Sequence, residues 1–406
     1  MSQSDKRQNS GLRIALPLFF ALIMNAAAHA YFTITFPALG RELKLTDLDS
    51  SLILSISAVV MMLAAPGWGW LCESWGRRRV ILTGLIVSAC SSITLALVIG
   101  IRSELAMMVQ WLFLTLLTIR IVHTALSAGV QPAAQAVIAD LTLREGRARG
   151  MGFMGAAFGL GTIAGGFLAL LSGSHYLVAG FLCIAAMLSV SVVVLVFNFQ
   201  ETGPAEKQAL QAALPLKAVL PYFLTTLLGL SMYSALQQIT SWRLQDGFAM
   251  ASHQSVQFTG AIMMATMIAM IVTQGGLVVR LKWSAQKLRL TGLCLIALAL
   301  LVATVVITPF MLLAVMMMLG LGLGMLLPGN LALLSLAAGN NQQGKIAGIN
   351  GMCQGAGLAL GPVSGSLLYN IDMRLPYLLA GILFTLLTIY GVYMLKRTGQ
   401  TVSVPG

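Results

Sequence analysis

Long apolar segments separated by short polar ones run through the chain. Twelve of them have about 20 residues or more, so that each could cross ~30 Å of hydrocarbon as a single α-helix. The predicted spans are 13–36, 51–71, 80–100, 109–138, 150–171, 176–198, 217–241, 257–279, 289–308, 310–337, 345–369 and 376–395. The pattern predicts an all-α membrane protein with twelve transmembrane helices.

One polar linker interrupts this pattern near its middle. It divides the chain into an N-terminal six-helix half at 1–199, a cytoplasmic linker at 200–216 and a C-terminal six-helix half at 217–406. Six spans followed by six are typical of a duplicated transporter core, whose substrate site lies where the two repeats meet. We therefore expect two pseudo-symmetric halves.

Glycine spacing is similar in the two halves. Gly161 and Gly165 lie in the fifth span, and Gly361 precedes Pro362 in the eleventh. Small residues four apart share one helix face and allow neighbouring helices to approach closely in lipid. Close packing is the simpler interpretation, and bending or sliding of these helices during a conformational cycle is the alternative.

Composition and charge agree with a membrane protein. Hydrophobic residues make up 58% of the chain and charged residues only 9%, against about 25% charged residues in soluble domains. With the N-terminus in the cytoplasm, eighteen of the 24 lysines and arginines, Arg289 among them, fall in cytoplasmic segments, and five, including Arg243, fall on the other side. This positive-inside bias predicts cytoplasmic termini and explains the net charge of +12 without a nucleic-acid partner.

The remaining basic residue, Arg120, lies in the middle of the fourth span. A charged side chain at that depth costs at least ~2.5 to 3.5 kcal/mol, so it is expected to face a polar cavity or a substrate path. Hydrogen bonding to backbone or polar side chains is the structural alternative.

Polar side chains recur at helical spacing in several spans. With a rise of about 1.5 Å per residue, His29 lies roughly 10 Å and Arg120 roughly 16 Å from the outer ends of their predicted spans, so the two could meet. The candidate substrate-binding or coupling residues are Asn25, His29 and Thr33 in the first span, Arg120, His123 and Gln131 in the fourth, Tyr233 and Gln237 in the seventh, Asn330 in the tenth and Gln354 in the eleventh.

All twelve acidic residues fall in loops or at span ends. A pump for lipophilic cations is expected to carry a buried carboxylate that pairs with the cation and exchanges a proton. An arginine with titratable histidines instead suits an anionic or zwitterionic solute, because the guanidinium can grip a carboxylate with two hydrogen bonds.

The sequence contains no constellation typical of an enzyme. It lacks the Gly-x-x-x-x-Gly-Lys-Ser/Thr loop that binds ATP, and the spacing of its cysteines and histidines predicts no metal site. We expect no cofactor, and transport driven by a proton or other ion gradient. His29 and His123 are the candidate proton carriers, since an unperturbed histidine titrates near pH ~6.5.

The loop between the second and third spans contains Gly69, Glu73, Gly76, Arg77 and Arg78. This pattern resembles the loop signature of the major facilitator superfamily, with Glu73 in place of the usual aspartate. Asp140, twenty residues after Arg120, also lies where the family carries an acid. The resemblance implies that these residues hold the two halves closed on the cytoplasmic side.

The resemblance extends to Pro37-Ala38-Leu39, expected to follow the first span, and covers nearly the whole chain. It implies a monomeric secondary transporter in a bacterial inner membrane, with alternating access to a central cavity lined by spans one, four, seven and ten. Thr162 stands where the fifth-span signature of antiporters has proline, so this motif alone does not assign antiport.

The general pattern is similar to the efflux branch of the family. Some members of this branch with this length and layout export carboxylate- or hydroxamate-bearing siderophores, and siderophore export is the first functional hypothesis. Multidrug efflux is the main alternative, followed by uptake of organic acids or sugars. A channel or a transport-dead receptor is not favoured, because the sequence shows neither a repeated filter nor a sizeable soluble domain.

Overall fold

A computed structural model describes residues 3–101, 108–141, 147–199, 216–281, 283–338 and 343–398, and these residues form helices joined by short connections, with no strand among them. The helices are α1 (Gln3–Glu42), α2 (Asp47–Trp75), α3 (Arg77–Ile101), α4 (Val109–Ser127), α5 (Val130–Leu141), α6 (Arg147–Ser172), α7 (Leu177–Asn198), α8 (Leu216–Phe248), α9 (Ser252–Val272), α10 (Val278–Leu281), α11 (Ala285–Ala303), α12 (Pro309–Ala338), α13 (Gln343–Ile371) and α14 (Leu375–Thr398).

A helical segment occupies most of each of the twelve predicted spans, and α11 ends at Ala303, before the predicted end of the ninth span at residue 308. Two spans are made of more than one segment: the fourth consists of α4 and α5, and the eighth consists of α9, a π-helical turn at Thr273–Leu277 and α10. In the described part of the chain, eleven spans are long and apolar enough to cross a membrane. Helix α13, with 29 residues, is also long enough, but glycines and polar residues such as Asn350 lower its hydropathy. The predicted all-α membrane fold is confirmed.

The first span extends further than the hydropathy pattern predicts. Helix α1 continues through Pro37 to Glu42, and Ala38 and Leu39, expected beyond the span, are buried within it. Proline is tolerated inside membrane helices because neighbouring helices and local adjustments satisfy the backbone groups that it frees.

The loop that carries the family signature is very short. Helix α2 ends at Trp75, Gly76 adopts φ 92°, and α3 begins at Arg77. A positive φ costs glycine nothing, which explains its place in this turn. Arg77 is buried, and Arg78 donates a hydrogen bond to the Val196 carbonyl in α7. A Cβ at Gly69 would meet open space, and the Asp140 side chain lies outside the described part of the structure.

A break in the fourth span separates α4 from α5 two turns after Arg120. Pro132 explains it, since proline has no N–H and its ring would clash with the carbonyl four residues earlier, at Ala128. Trp68 of α2 braces this region by donating from Nε1 to the Ala125 carbonyl at 2.6 Å. Gly129 is needed in the break, because a Cβ there would lie 3.0 Å from the Trp68 ring.

The helices form two compact units. Unit 1 comprises Met1–Gln208 with Ser252–Gly260, and unit 2 comprises Ala209–Ala251 with Ala261–Gly406. The predicted division at 1–199 and 217–406 remains a prediction, since residues 200–215 lie outside the described residues.

Within unit 1, the glycines of α6 lie directly against α1. A Cβ added at Gly161 would lie 2.5 Å from the Ala26 Cβ and 2.5 Å from the Ile23 carbonyl oxygen. One at Gly165 would lie 2.6 Å from the Ala27 carbonyl oxygen. The small residues therefore let the two backbones meet, as expected for close packing in lipid.

Unit 2 repeats this arrangement between α13 and α8. A Cβ at Gly357 would lie 2.6 Å from the Leu227 carbonyl oxygen, and one at Gly361 would collide with Ser234 and with the Ser231 carbonyl. Pro362 follows Gly361 inside α13, whereas the corresponding Thr162 of α6 bonds the Phe158 carbonyl at 2.9 Å. In each unit, glycines thus allow one pair of helices to pack with their backbones in contact.

Replacement of Gly161 by alanine should lower the melting temperature of the purified protein in detergent. The added methyl would press on backbone atoms of α1, and overpacking of this kind costs about 1 to 3 kcal/mol. Gly361→Ala should do the same through α8.

Gly155→Ala is the matched control on the same helix as Gly161, because a Cβ there meets no atom within 4 Å. Alanine is the better helix former by about 1 kcal/mol, so this variant should melt at the wild-type temperature or above it. Equal melting temperatures for Gly155→Ala and Gly161→Ala would contradict the packing argument.

Candidate functional site

Arg120 lies in α4, deep within unit 1, and is only 3% exposed. Its Nη1 is 2.9 Å from Nδ1 of His123, one turn further along the helix, and its guanidinium carbon lies 3.9 Å from the ring centroid of Phe32 in α1. Its Nε has no hydrogen-bond partner among the described residues. The charge is therefore held by an imidazole and an aromatic face, both neutral groups.

A chain of hydrogen bonds leads from Arg120 to α1 through α3. His123 Nε2 is 3.0 Å from the Ser88 hydroxyl, and this hydroxyl donates to Asn25 Oδ1 at 3.4 Å. A guanidinium can only donate, so His123 Nδ1 must accept, and the ring proton then lies on Nε2 and points at Ser88. The network therefore assigns His123 as the neutral Nε2–H tautomer.

The first-span candidates fall into two groups. Asn25 joins the hydrogen-bond chain, and His29, half-buried one turn later, interacts electrostatically with Arg120 and His123. Thr33 is instead committed to its own helix, since its hydroxyl donates to the carbonyls of His29 and Ala30, each at 3.1 Å.

No acidic side chain pairs with Arg120 in the described part of the structure. The described carboxylates near the spans lie at helix ends, as with Asp47 and Asp49 in the first turn of α2. Asp47 pairs with Arg41 across the α1–α2 connection at 2.7 Å. The charge on Arg120 thus lacks a counter-ion within the described residues.

Of the remaining candidates, Tyr233, Gln237 and Gln354 lie in unit 2 and Gln131 lies in unit 1. In unit 2, Gln237 donates to the Tyr233 hydroxyl at 3.2 Å, and both side chains are half-buried in α8. Gln354 of α13 is exposed. In unit 1, Gln131 is exposed and lies in α5, beyond the break in the fourth span.

Asn330 belongs to a second buried cluster that the sequence analysis did not predict. Arg289, expected in a cytoplasmic segment, lies inside α11 and is only 7% exposed. Its Nε donates to Asn330 Oδ1 at 3.2 Å and its Nη2 to the Thr225 hydroxyl at 3.0 Å. The side chain also lies 5.2 Å from the ring centroid of Tyr222.

Further hydrogen bonds complete this cluster in unit 2. The Asn330 amide donates to the Tyr222 carbonyl at 2.9 Å and to the Thr226 hydroxyl at 3.1 Å. Thr226 in turn donates to Asn350 Oδ1 of α13 at 2.9 Å. The cluster therefore ties α8, α11, α12 and α13 together, and Asn330 has a structural setting.

Arg243 also lies elsewhere than the sequence predicts. The seventh span is predicted to end at residue 241, but α8 continues to Phe248 and buries Arg243, which is 3% exposed. Its Nη2 donates to the Val306 carbonyl at 3.4 Å, whereas Nε and Nη1 have no partner among the described residues. The polar run Gln237 to Ser241 could have indicated a longer helix with a buried polar end.

Arg289 makes more hydrogen bonds to the protein than Arg120 does. Arg289 donates to two oxygens of neighbouring helices, and the amide nitrogen of its acceptor Asn330 donates two hydrogen bonds of its own. The described protein bonds of Arg120 consist of one to an imidazole, and its Nε is left over. Of the two, Arg120 is the group able to receive a ligand with acceptor oxygens, and the cluster of Arg120, His123, His29, Asn25 and Ser88 is the candidate site.

Comparisons with known proteins place the chain among membrane transporters. It matches the model of the Major Facilitator Superfamily over residues 18–362 and again over 250–405. It is 26% identical over 390 residues to multidrug resistance protein 2 of Bacillus subtilis (strain 168), covering 90% of this chain and 92% of that protein. It is 30% identical over 188 residues to the class C tetracycline resistance protein of Escherichia coli, covering 46% and 43% of the two chains.

Solved structures share the fold. The human organic anion transporter MFSD10 superposes with a TM-score of 0.69 at 18% identity, covering 94% of this chain and 99% of that one. A POT family transporter in complex with 5-aminolevulinic acid superposes with a TM-score of 0.75 at 10% identity, covering 95% and 96%. The chain therefore belongs to the major facilitator superfamily and is a multi-pass membrane transporter, not an enzyme.

Proposed function

We propose that the protein exports a small anionic or zwitterionic solute across the bacterial inner membrane by alternating access. A carboxylate- or hydroxamate-bearing siderophore is the substrate class that we favour. The observation that carries the proposal is the buried charge of Arg120, which has no acidic partner among the described residues.

Electrostatics favours an anionic ligand at this site. Removing a charge from water costs several kcal/mol, and the cost is repaid only by well-placed partners. Arg120 has an imidazole, an aromatic ring and a spare Nε–H, which leaves a carboxylate or hydroxamate oxygen as the missing complement. A cationic solute would be repelled by the same group.

The direction of transport is supported by the relatives. The proteins that match over most of the chain are named for drug resistance, and two matching over about half are named for tetracycline resistance. Export is thus the direction that we propose, and uptake of organic acids or sugars ranks behind it.

Multidrug efflux is the second candidate, and the similarity to multidrug resistance protein 2 favours it. The charge of the preferred substrates separates the two candidates.

Deletion of the gene should trap labelled citrate-based siderophore inside iron-starved cells, and only an active protein should restore its secretion. Wild type should do so, whereas Arg120→Ala should lower secretion at least tenfold, because a lost charge-assisted pair contributes about 1.5 to 3 kcal/mol. Arg120→Lys keeps the charge but lacks the planar fork, so it should restore secretion in part. Intracellular label, measured over time, is the readout.

Arg374→Ala is the control for the loss of one arginine, since Arg374 is exposed near the start of α14. It should secrete like wild type. Unchanged secretion after deletion, in a strain without a redundant exporter, would sink the siderophore proposal. Increased susceptibility of that strain to cationic drugs would then favour the multidrug candidate.

Arg289 should behave differently from Arg120. Its removal leaves the oxygens of Asn330 and Thr225 without their donor, and each unsatisfied buried group costs about 1 to 3 kcal/mol. Arg289→Ala should therefore lower the melting temperature in detergent by more than Arg120→Ala, which leaves only His123 Nδ1 without its donor and should lose transport. The reverse order of melting temperatures would contradict the assignment of Arg289 as structural and Arg120 as ligand-binding.

A further inference from the structure

His123 has no free ring nitrogen. Nδ1 accepts from Arg120 at 2.9 Å, and Nε2 faces the Ser88 hydroxyl at 3.0 Å, which donates onward to Asn25. Arg120 determines the direction of this hydrogen bond, because a guanidinium can donate but cannot accept. The neutral imidazole therefore works as a fixed acceptor for Arg120.

A proton on His123 Nδ1 would make its contact with Arg120 repulsive. Two donors, both positively charged, would then face each other at hydrogen-bond distance. The charged and titratable side chains that act on His123 are Arg120 on its own helix and His29 on α1, and Ser88 of α3 and Asn25 of α1 are neutral. The described neighbours supply no carboxylate that would stabilise the second charge.

Resting on the proposed function, we propose that the anionic substrate leaves the cell as net negative charge, driven by the membrane potential, and that His123 positions Arg120 and does not carry a proton. His123 is then not loaded with a proton in each cycle. This assigns to His123 a role different from the proton coupling that its residue type suggests.

The membrane potential is a sufficient driving force for an anion. A bacterial cell interior is negative, so an anion moves outward with the field. Moving one charge through 100 mV corresponds to about 2.3 kcal/mol, which is a ratio of about 50-fold between the two sides for each net negative charge carried. A cation would face the same field in the opposite direction and would need an exchanged ion.

The test uses the full-length protein reconstituted in liposomes that contain a labelled citrate-based siderophore bearing a net negative charge. A potassium gradient with valinomycin sets an inside-negative potential of about 100 mV at equal pH on both sides, which corresponds to the ratio given above. Wild type should lower the internal probe by up to about 50-fold per net charge. A pH gradient at zero potential should produce no such imbalance.

Two variants separate positioning from proton transfer. In His123→Gln, the new side-chain amide could accept from Arg120 through its oxygen and donate to Ser88 through its nitrogen, so KM should stay within about threefold of wild type. His123→Leu offers no acceptor and should raise KM at least about tenfold with a smaller change in kcat. The potential dependence should survive in His123→Gln, and its rate should be flat across the range in which a free histidine titrates, about pH 6 to pH 8.

The contrary results are equally specific. An imbalance driven by a pH gradient at zero potential would overturn the inference while leaving anion export intact. Its loss in His123→Gln would assign the proton to His123, and its survival there would assign it to another group. Wild-type liposomes that move no probe at any potential or pH gradient would overturn the proposed function, and this inference with it.

Discussion

A charge buried in a membrane protein must find its partners inside the protein, and this constraint explains most of what is unusual in the chain. Helices satisfy their own backbone groups, so the structure can be almost entirely apolar. The arginines are the exceptions. Arg289 is satisfied by Asn330 and Thr225 and becomes part of the scaffold. Arg120 and Arg243 are both satisfied only in part, and Arg120, which lies beside polar groups of α1 and α3, is the one that we propose to bind a ligand.

The position of Arg120 depends on contacts remote from its own charge. Gly161 and Gly165 let α6 lie against α1. Other residues of α1 then contact the site: Asn25 bonds Ser88, and Phe32 lies beside Arg120. Pro132 breaks the fourth span shortly after His123, and Trp68 and Gly129 pack at that break. The packing of small residues thus holds the first helix where its polar groups can complete the site.

Hydropathy is enough to predict the spans, because a helix that crosses a bilayer needs a long apolar segment and little else. The helical period also predicts one polar face in the first span and another in the fourth, on which His29 and Arg120 could meet, and their role in a binding site stays a prediction. It could not predict Ser88, because a serine in an apolar helix is common and carries no charge to draw attention. Phe32 escapes prediction for a similar reason, since an aromatic ring in a membrane span is most often lipid or core contact.

Two arginines show that sequence patterns do not predict burial near the ends of spans. Arg243 and Arg289 lie near the ends of predicted spans, where a difference of a few residues decides between a loop and a helix. The charge rule assigns such residues to a side of the membrane but says nothing of burial. Their partners, Val306 and Asn330, lie 63 and 41 residues away, so that only the folded chain brings them together.

The sign of the buried charge links the site to the energetics of export. An exporter of cations works against an inside-negative potential, so it needs a group that can exchange the cation for an incoming ion, and a buried carboxylate serves both purposes. An exporter of anions works with the potential and needs only a cation that binds and releases. In the export that we propose, Arg120 held by a neutral histidine meets that need, because its charge stays constant through the cycle. Export of an anion would therefore explain both the arginine in the fourth span and the confinement of the acids to loops and span ends.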